Sequence, residues 1–203
     1  MRELILDLGS GNTCHNSREE VYKLIDAVPQ DPRIVLKWQL FTDEKPNISL
    51  DRDIFRIAYE YAATKGFKTT ASVFDLSSLR FLLTFNIPFI KIANNAALYE
   101  LIGHVPRNMP VYASFSKFTR PRKCDEKLCC ISEYPAPIWR YYDDFGVKEL
   151  KAGISDHTNS IALALFQNPA ILENHFCLED SEGLDAGAFA RTPWQIEKLV
   201  NKI

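Results

Sequence analysis

The sequence predicts an α/β fold in which eight parallel strands and their helices close into a compact (β/α)₈ TIM barrel. Eight short apolar runs alternate with amphipathic segments, which is typical of a parallel sheet covered by helices. Eight is also the number of strands that closes such a barrel. The 203 residues lie at the lower limit of length for this fold, so we expect short loops and one or two degenerate helices. An open doubly wound sheet is the alternative, and the strand count disfavours it.

The strands are predicted from apolar runs that end in polar, Gly-containing or Pro-containing segments. Because no Gly/Ser-rich or Pro-rich linker separates any two of them, the chain 1–203 is expected to form a single domain. A full helix is hard to place in the basic segment that follows the fifth run. The predicted strands are residues 3–8, 33–38, 68–73, 88–93, 110–114, 127–132, 150–155 and 170–175.

The helices are predicted from their capping residues. Ser17 and Glu20 have the spacing of a capping box. Asp51 and Asp75 are predicted to cap the second and third helices, and Gly66 to end the second. The remaining helices are predicted at residues 96–102, 137–145, 160–166 and after the N-cap and first-turn pair Thr192-Pro193.

Composition excludes several classes of function. The net charge is −2, so no global charge balance favours nucleic acid or membrane surfaces. One local basic run, Lys117, Arg120, Arg122 and Lys123, is expected to be a solvated loop. No apolar run is long enough to span a bilayer, and the N-terminus does not have the pattern of a signal peptide. The five cysteines show no disulfide framework and no zinc-knuckle spacing, so we expect a cytoplasmic protein.

Polar side chains occur at the end of every predicted strand. In a barrel of parallel strands these ends meet at one mouth, where the chemistry gathers. Each residue alone has an ordinary explanation as a helix cap, a surface lysine or a hydrogen-bonded core histidine. The set comprises Asp7, Lys37, Gln39, Ser72, Lys91, Ser114, Ser132, Tyr134, Ser155, Asp156, His157, Glu173 and His175.

Two pairs within this set point to a reaction. Lys37 and Lys91 lie inside apolar runs, and a lysine that points into a barrel needs an anion because burying an unpaired ammonium is very costly. His157 and His175 end consecutive strands and can offer neutral imidazoles to a divalent metal with open positions. The residues therefore predict a metal-assisted enzyme that acts on a small polyanionic substrate.

Six short pieces of the chain also occur in a fixed order in a known family. They are Lys37-Trp38-Gln39, Phe74-Asp75, Lys91-Ile92-Ala93, Ser132-Glu133-Tyr134-Pro135, Gly153-Ile154-Ser155-Asp156-His157-Thr158 and Glu173-Asn174-His175-Phe176. Together they resemble the sialic acid synthase family, which condenses phosphoenolpyruvate to make N-acetylneuraminate and related nonulosonic acids. The Ser-Asp-His-Thr and Glu-x-His-Phe pieces are the most specific. The resemblance covers the barrel domain, and we expect no counterpart of the family's antifreeze-like C-terminal domain.

The resemblance implies condensation of phosphoenolpyruvate with an open-chain aldose beside Mn²⁺ or Mg²⁺, with release of phosphate and formation of a 2-keto-3-deoxy sugar acid. It implies His157 and His175 as the metal ligands. The catalytic residues expected are Asp7, Lys37, Lys91, His157 and Asp185. The substrate-binding residues expected are Gln39, Ser72, Ser114, Ser132, Tyr134, Ser155 and Glu173.

The chain also departs from the family pattern, mainly on the sugar side. Asn94 replaces a small hydroxyl residue, Ala96 falls near a glutamate position, and Phe115-Ser116 replaces Thr-Gly. Two alternatives therefore stay open: a metal-dependent barrel aldolase or lyase that acts on another sugar or keto acid, and a catalytically inactive barrel that binds a sugar or phosphate. The resemblance also allows a homodimer.

Overall fold

The protein is a closed barrel of eight parallel strands in which each strand pairs with its neighbours in chain order and β1 pairs with β8. The computed structural model describes residues 1–42, 46–181 and 185–202. The predicted (β/α)₈ TIM fold is thereby confirmed. The strands are β1 (Glu3–Asp7), β2 (Ile34–Leu40), β3 (Lys68–Val73), β4 (Ile90–Ile92), β5 (Val111–Phe115), β6 (Glu126–Cys130), β7 (Gly153–Asp156) and β8 (Ile171–His175).

Helices follow most strands, and several are short, as the chain length requires. No helix lies between β5 and β6 among residues 116–125, all of which are described, and this agrees with the sequence pattern. A 3₁₀ helix, Ala96–His104, follows β4. The α-helices are α1 (Gly11–Cys14), α2 (Arg18–Asp26), α3 (Arg52–Thr64), α4 (Leu76–Leu82), α5 (Ile138–Asp144), α6 (Val147–Ala152), α7 (Ala162–Gln167) and α8 (Pro193–Val200).

Two helices were not predicted. The short α1 lies between the first predicted strand and the capping residue Ser17, where no helix was predicted, and α6 covers residues 150–152, which were predicted to begin the seventh strand. Leu150 is the buried residue of α6, and a single apolar position between polar ones does not distinguish a strand from one helical turn. Gly153 ends α6 and begins β7. A Cβ at Gly153 would lie 2.7 Å from the backbone oxygen of Lys127, so the close approach of β6 and β7 requires glycine here.

Two of the predicted caps differ from the structure. Ser17 Oγ accepts a hydrogen bond from Glu20 N at 3.4 Å, but the Glu20 carboxylate bonds Lys23, so the reciprocal half of the capping box is wrong. The Asp51 side chain makes no capping hydrogen bond, and that prediction is also wrong. The Asn16 side chain instead accepts a hydrogen bond from Asp51 N and ties the first loop to the start of α3.

The barrel interior changes from apolar to charged along its axis. Its closed end is filled by a small apolar cluster, Ile5, Val35, Phe89, Leu128 and Ile171. Side chains alternate between the two faces of a strand, so the residue two positions further along also faces inward. That rule places Asp7, Lys37, Lys91, Cys130 and Glu173 in the next layer, and all five are buried. The larger apolar cluster lies between the outer face of the strands and the surrounding helices.

None of the helices in the described part of the chain is both long and apolar enough to cross a membrane. All five cysteines are free thiols, as their spacing predicted.

Asp75 links the end of β2 to α4. Its carboxylate accepts hydrogen bonds from Ser78 N at 2.7 Å and Ser78 Oγ at 2.9 Å, and from Thr42 N at 3.0 Å. Burial raises the pKa of Asp75, but these donors outweigh burial and hold the pKa below its ordinary value.

Replacing Asp75 with Ala is therefore expected to lower the free energy of unfolding by about 1–2 kcal/mol at neutral pH, measured by urea unfolding. The Asp75→Asn variant keeps a capping oxygen and should lose less. A carboxylate with a lowered folded pKa stabilises the protein above the unfolded pKa, and this stability is lost as pH falls through the folded pKa. The difference between parent and Asp75→Asn should therefore shrink below pH ~4, and a difference independent of pH would contradict the account.

Candidate active site

The mouth of the barrel, where the C-terminal ends of the strands meet, holds a cavity of about 520 Å³. The structure brings together at this cavity every residue that was predicted to act in catalysis, substrate binding or metal binding. These are Asp7, Lys37, Gln39, Ser72, Lys91, Ser114, Ser132, Tyr134, Ser155, His157, Glu173, His175 and Asp185. Sequence reasoning did not assign a role to Phe74, Ala93, Asn94, Asn95, Cys130 and Phe189, which line the same cavity.

Two lysines and two carboxylates form the floor of the cavity. Lys37 Nζ lies 2.6 Å from Asp7 Oδ2, 3.0 Å from Glu173 Oε1 and 2.9 Å from Ser72 Oγ. Lys91 Nζ lies 3.1 Å from Glu173 Oε2 and 2.7 Å from Ser114 Oγ. Glu173 therefore bridges both lysines with its two oxygens.

This network revises the argument made from the sequence. The buried lysines were expected to require a substrate anion, whereas Asp7 and Glu173 of the chain itself already neutralise them. Burial lowers the pKa of Lys37, but Asp7 and Glu173 outweigh it and raise that pKa. Burial raises the pKa of Glu173, and the two lysines lower it strongly. The geometry assigns Glu173 as a shared counterion, and its direct contact with a substrate stays a prediction.

Lys91 differs electrostatically from Lys37. Burial lowers the pKa of Lys91, Glu173 offsets this only in part, and the positive charge of Lys37 adds to the lowering. Lys91 has one carboxylate to share, whereas Lys37 contacts two. An anion that enters the cavity therefore gains most by approaching Lys91.

The two histidines lie side by side at the rim of β7 and β8, with ring centroids 5.3 Å apart. His157 Nδ1 lies 2.8 Å from the carbonyl oxygen of Ile131, so it donates to that acceptor and Nε2 carries the lone pair. Nε2 lies 3.4 Å from Ser155 Oγ, on the cavity side. Burial, with the nearby His175, lowers the pKa of His157 to about 3, so this imidazole is neutral.

His175 faces carboxylates. Its Nδ1 lies 3.4 Å from Asp185 Oδ1 and 3.7 Å from Asp7 Oδ2, and this buried nitrogen has no hydrogen-bond partner in the described part of the chain. Burial lowers the pKa of His175, but the two carboxylates outweigh burial and raise it. Gln39 Nε2 donates to both carboxylates, at 3.0 Å to Asp7 and 3.1 Å to Asp185, and holds them against the imidazole.

These donors fit a divalent ion as a site with two protein ligands. The His157 imidazole is neutral and carries its lone pair on Nε2, whose partner is the Ser155 hydroxyl, and His175 has an unsatisfied buried nitrogen beside two carboxylates. Imidazole nitrogens suit Zn²⁺, and the carboxylate and water oxygens that can accompany them suit Mn²⁺ and Mg²⁺. No group of three or more His, Cys, Asp or Glu side chains in the described residues is arranged to hold an ion. An ion would therefore complete its coordination with water or substrate oxygens.

Aromatic rings close the rim on the histidine side. The Tyr134 ring lies 4.4 Å from that of His157 and 4.9 Å from that of Phe189. Phe189 also lies edge-on against His175, with centroids 5.0 Å apart. Tyr134 was predicted from the sequence, while Phe189 directly follows the polar segment 180–188, where one apolar ring gave no signal. That segment is predicted to be a loop from its polar, Gly-containing sequence, and its residues 182–184 lie outside the described residues.

Asp156, which had no assigned role, forms a fully buried ion pair with Arg191 at 3.2 Å. Arg191 also donates to the carbonyl oxygens of Thr158 at 2.8 Å and Phe189 at 3.0 Å. The pair locks together the loops that follow β7 and β8 and so fixes His157 relative to Phe189. The sequence held no signal for Arg191, because a single arginine after a loop is ordinarily a surface residue.

Asn94, a departure from the family pattern, forms contacts across the rim. Its Nδ2 donates to Ser132 Oγ at 3.0 Å, and its Oδ1 accepts from Thr119 Oγ1 at 2.7 Å and from the Tyr99 hydroxyl at 3.4 Å. Asn94 therefore orients one predicted substrate-binding serine and joins it to the loop after β5.

Neither a protein-family model nor a curated protein sequence matches the chain. Its structure is similar to that of an N-acetylneuraminic acid (sialic acid) synthetase from Leptospira borgpetersenii in complex with citrate, with a TM-score of 0.73 and 19% identity. The match covers 98% of this chain and 81% of that one.

Two further solved structures share the barrel. A putative spore coat polysaccharide biosynthesis protein E from Chromobacterium violaceum matches with a TM-score of 0.74 and 19% identity, covering 100% of this chain and 74% of that one. A truncated 3-deoxy-D-arabino-heptulosonate 7-phosphate synthase from Thermotoga maritima matches with a TM-score of 0.64 and 11% identity, covering 98% and 84%. At these identities the similarity shows the fold, and it agrees with the resemblance seen in the motifs.

Replacing Glu173 with Gln is expected to lower the free energy of unfolding by about 3–5 kcal/mol, because two buried ammonium groups are left with one carboxylate. Inorganic phosphate should then raise the melting temperature of this variant more than that of the parent, since an added anion replaces the lost counterion. Thermal unfolding with and without phosphate measures both effects.

Glu149→Gln is the matched control, because Glu149 pairs with the half-exposed Arg120 on the surface. Its unfolding free energy should change by no more than about 1 kcal/mol. A Glu173→Gln variant as stable as the parent, or one that phosphate stabilises no more than the parent, would show that Glu173 is not the shared counterion.

Proposed function

We propose that the protein is a metal-dependent enzyme that condenses phosphoenolpyruvate with an aldose, as an N-acetylneuraminate synthase does, and releases phosphate. The observation that carries the proposal is the presence, in one cavity, of two buried lysines bonded to serine hydroxyls and two adjacent histidines. The fold similarity to a sialic acid synthetase and to a heptulosonate phosphate synthase supports the same reaction class.

The cavity offers two clusters of donors to an anion. Lys37 with Ser72 and Lys91 with Ser114 lie on opposite sides of Glu173. Phosphoenolpyruvate carries a phosphate and a carboxylate, so one cluster can serve each group. A serine hydroxyl that accepts a hydrogen bond from a lysine can also rotate its own proton and donate a hydrogen bond to an oxygen of the substrate. Ser132 and Ser155 also line this cavity and offer two further hydroxyl donors to the substrate.

The charges of the cavity argue for a cation as well. Three carboxylates line the cavity beside two ammonium groups: Asp7 and Glu173 contact the lysines, and Asp185 lies 3.4 Å from His175 Nδ1. An added anion therefore meets these carboxylates as well as the lysines. His157 and His175 would hold Mn²⁺ or Mg²⁺ next to this site. Such an ion supplies a Lewis acid for the carbonyl oxygen of the aldose.

The proposed reaction joins phosphoenolpyruvate to the open-chain form of the aldose. Carbon 3 of phosphoenolpyruvate forms a bond to the aldehyde carbon, water adds at carbon 2, and the bond from carbon 2 to the phosphate oxygen breaks. One proton of the water ends on the new hydroxyl and the other on the phosphate, and the product is a 2-keto-3-deoxy sugar acid. Lys37 and Lys91 stabilise the anionic groups throughout. Tyr134 and Phe189 cover the histidine side of the cavity and limit access of bulk water. Asp7 and Asp185 are the carboxylates proposed to contact the sugar.

Phosphate release tests this proposal. The protein is incubated with Mn²⁺, phosphoenolpyruvate and a panel of aldoses, and we expect release that depends on both the metal and one class of aldose. Lys91→Met should reduce the rate by about 10²-fold or more, because it removes a charge that stabilises the reacting anion. Release without dependence on aldose would contradict the condensation. Tight binding of phosphoenolpyruvate without any release would favour the inactive binding barrel.

His157→Ala is expected to abolish Mn²⁺ binding measured by calorimetry while the barrel stays folded by circular dichroism, because it removes one of the two proposed ligands. His104→Ala is the matched control, since His104 lies exposed on the 3₁₀ helix. Unchanged Mn²⁺ affinity in His157→Ala would show that the ligand assignment is wrong.

A further inference from the structure

The basic run after β5 does not behave as one solvated loop. Lys117 Nζ lies 2.5 Å from Asp144 Oδ1 on α5, so its charge is satisfied within the fold. Arg120 pairs with Glu149 at 2.6 Å, and its guanidinium lies over the Phe115 ring. Arg122 and Lys123 are exposed, and their side chains make no hydrogen bond or ion pair with the residues that the structure describes. Two of the four cations are therefore free to bind something else.

The unpaired cations line a concave site. A cavity of about 410 Å³, here called the basic hollow, is lined by Tyr99, Ile102, Gly103, Arg120, Arg122 and Lys123. It lies on the side of the barrel where no helix connects β5 and β6 among residues 116–125. Its size falls within the range of small-molecule sites, ~300–1,000 Å³.

The two sides of the basic hollow differ in chemistry. Arg122 and Lys123 contribute two unpaired positive charges, and Arg120, whose charge is offset by Glu149, is held in place by Glu149 and Phe115. Guanidinium and ammonium groups around one concavity favour a dianionic phosphate. The remaining lining residues are uncharged: Tyr99, which is half-buried, Ile102 and Gly103, where an added Cβ would meet no atom within 4 Å. An aromatic and an aliphatic side chain beside open space suit a planar ring.

Tyr99 lines the basic hollow, and its hydroxyl group contacts residues at the mouth of the barrel. The hydroxyl donates to the carbonyl oxygen of Ser114 at 2.8 Å and lies 3.4 Å from Asn94 Oδ1. Ser114 bonds Lys91, and Asn94 bonds Ser132. A ligand that stacks on Tyr99 thus contacts the residue whose hydroxyl bonds to Ser114 and Asn94 at the mouth.

We propose that the basic hollow is an accessory binding site for an organic phosphate that carries a planar ring, such as a nucleoside monophosphate, and that its occupancy is transmitted to the mouth through the Tyr99 hydroxyl. The three cations hold the phosphate, and Tyr99 and Ile102 hold the ring. The site is separate from the catalytic cavity, so its occupancy does not depend on which reaction the mouth performs.

Calorimetric titration tests the binding. Adenosine monophosphate, adenosine and inorganic phosphate are titrated separately into the protein at low salt. The nucleotide should bind more tightly than either fragment, and added salt should weaken it. Arg122→Ala/Lys123→Ala should weaken nucleotide binding by about tenfold, the effect of two exposed charge contacts.

Arg18→Ala/Lys202→Ala is the matched control, because it removes the same charge from two exposed positions on α2 and after α8. It should leave the affinity within about twofold. Three results would each overturn the site: unchanged affinity in Arg122→Ala/Lys123→Ala, no binding of the nucleotide at millimolar concentration, or inorganic phosphate that binds as tightly as the nucleotide.

Nuclear magnetic resonance tests the link to the mouth without any assumption about the reaction. Adenosine monophosphate should shift the amide signals of Asn94 and Ser132 in the parent. Tyr99→Phe keeps the ring and should still bind the nucleotide, but these shifts should be lost because the hydroxyl contact is gone. Equal shifts in Tyr99→Phe, or none in the parent that binds the nucleotide, would overturn the transmission.

Discussion

The bridge that Glu173 makes between Lys37 and Lys91 is the constraint on which the mouth of the barrel depends. Burying two ammonium groups within one barrel is tolerated only when carboxylates of the same layer neutralise them. That layer also fixes where each neighbouring serine hydroxyl points, since Ser72 and Ser114 bond the lysines. A mouth built in this way holds both lysines and their serine partners in a buried and pre-ordered arrangement.

The same strands that carry this layer explain why the site could be found from the sequence. Residues two apart on a strand share a face, and the strands end at one mouth. Because Val35 faces the barrel interior, Lys37 also faces inward and lies nearer the mouth. Glu173 follows Ile171 in the same way. The number of apolar runs and their alternation with helical segments likewise predicted the barrel, because each run can be recognised from its own local sequence. The histidines at the ends of β7 and β8 came from the same rule.

What the sequence could not predict are contacts between residues far apart in the chain. The pairing of Lys37 with Asp7 and Glu173 depends on the register between β1, β2 and β8, and Lys91 on β4 meets Glu173 across the barrel interior. The sequence argument assigned those anions to a substrate instead. The buried Arg191–Asp156 pair and the Asn94–Ser132 contact are equally non-local. Two short-range signals were also misleading. Residues 150–152 form the last turn of α6 where the start of a strand was predicted, and the Asp51 side chain does not cap its helix.

Charged side chains line both the mouth of the barrel and the basic hollow. The most direct test of the central claim is a crystal structure of the protein with Mn²⁺ and phosphoenolpyruvate. The account predicts phosphate and carboxylate oxygens within hydrogen-bond distance of Lys37 and Lys91, and the ion bound to His157 and His175. Phosphoenolpyruvate bound elsewhere, or an ion that contacts neither histidine, would contradict it.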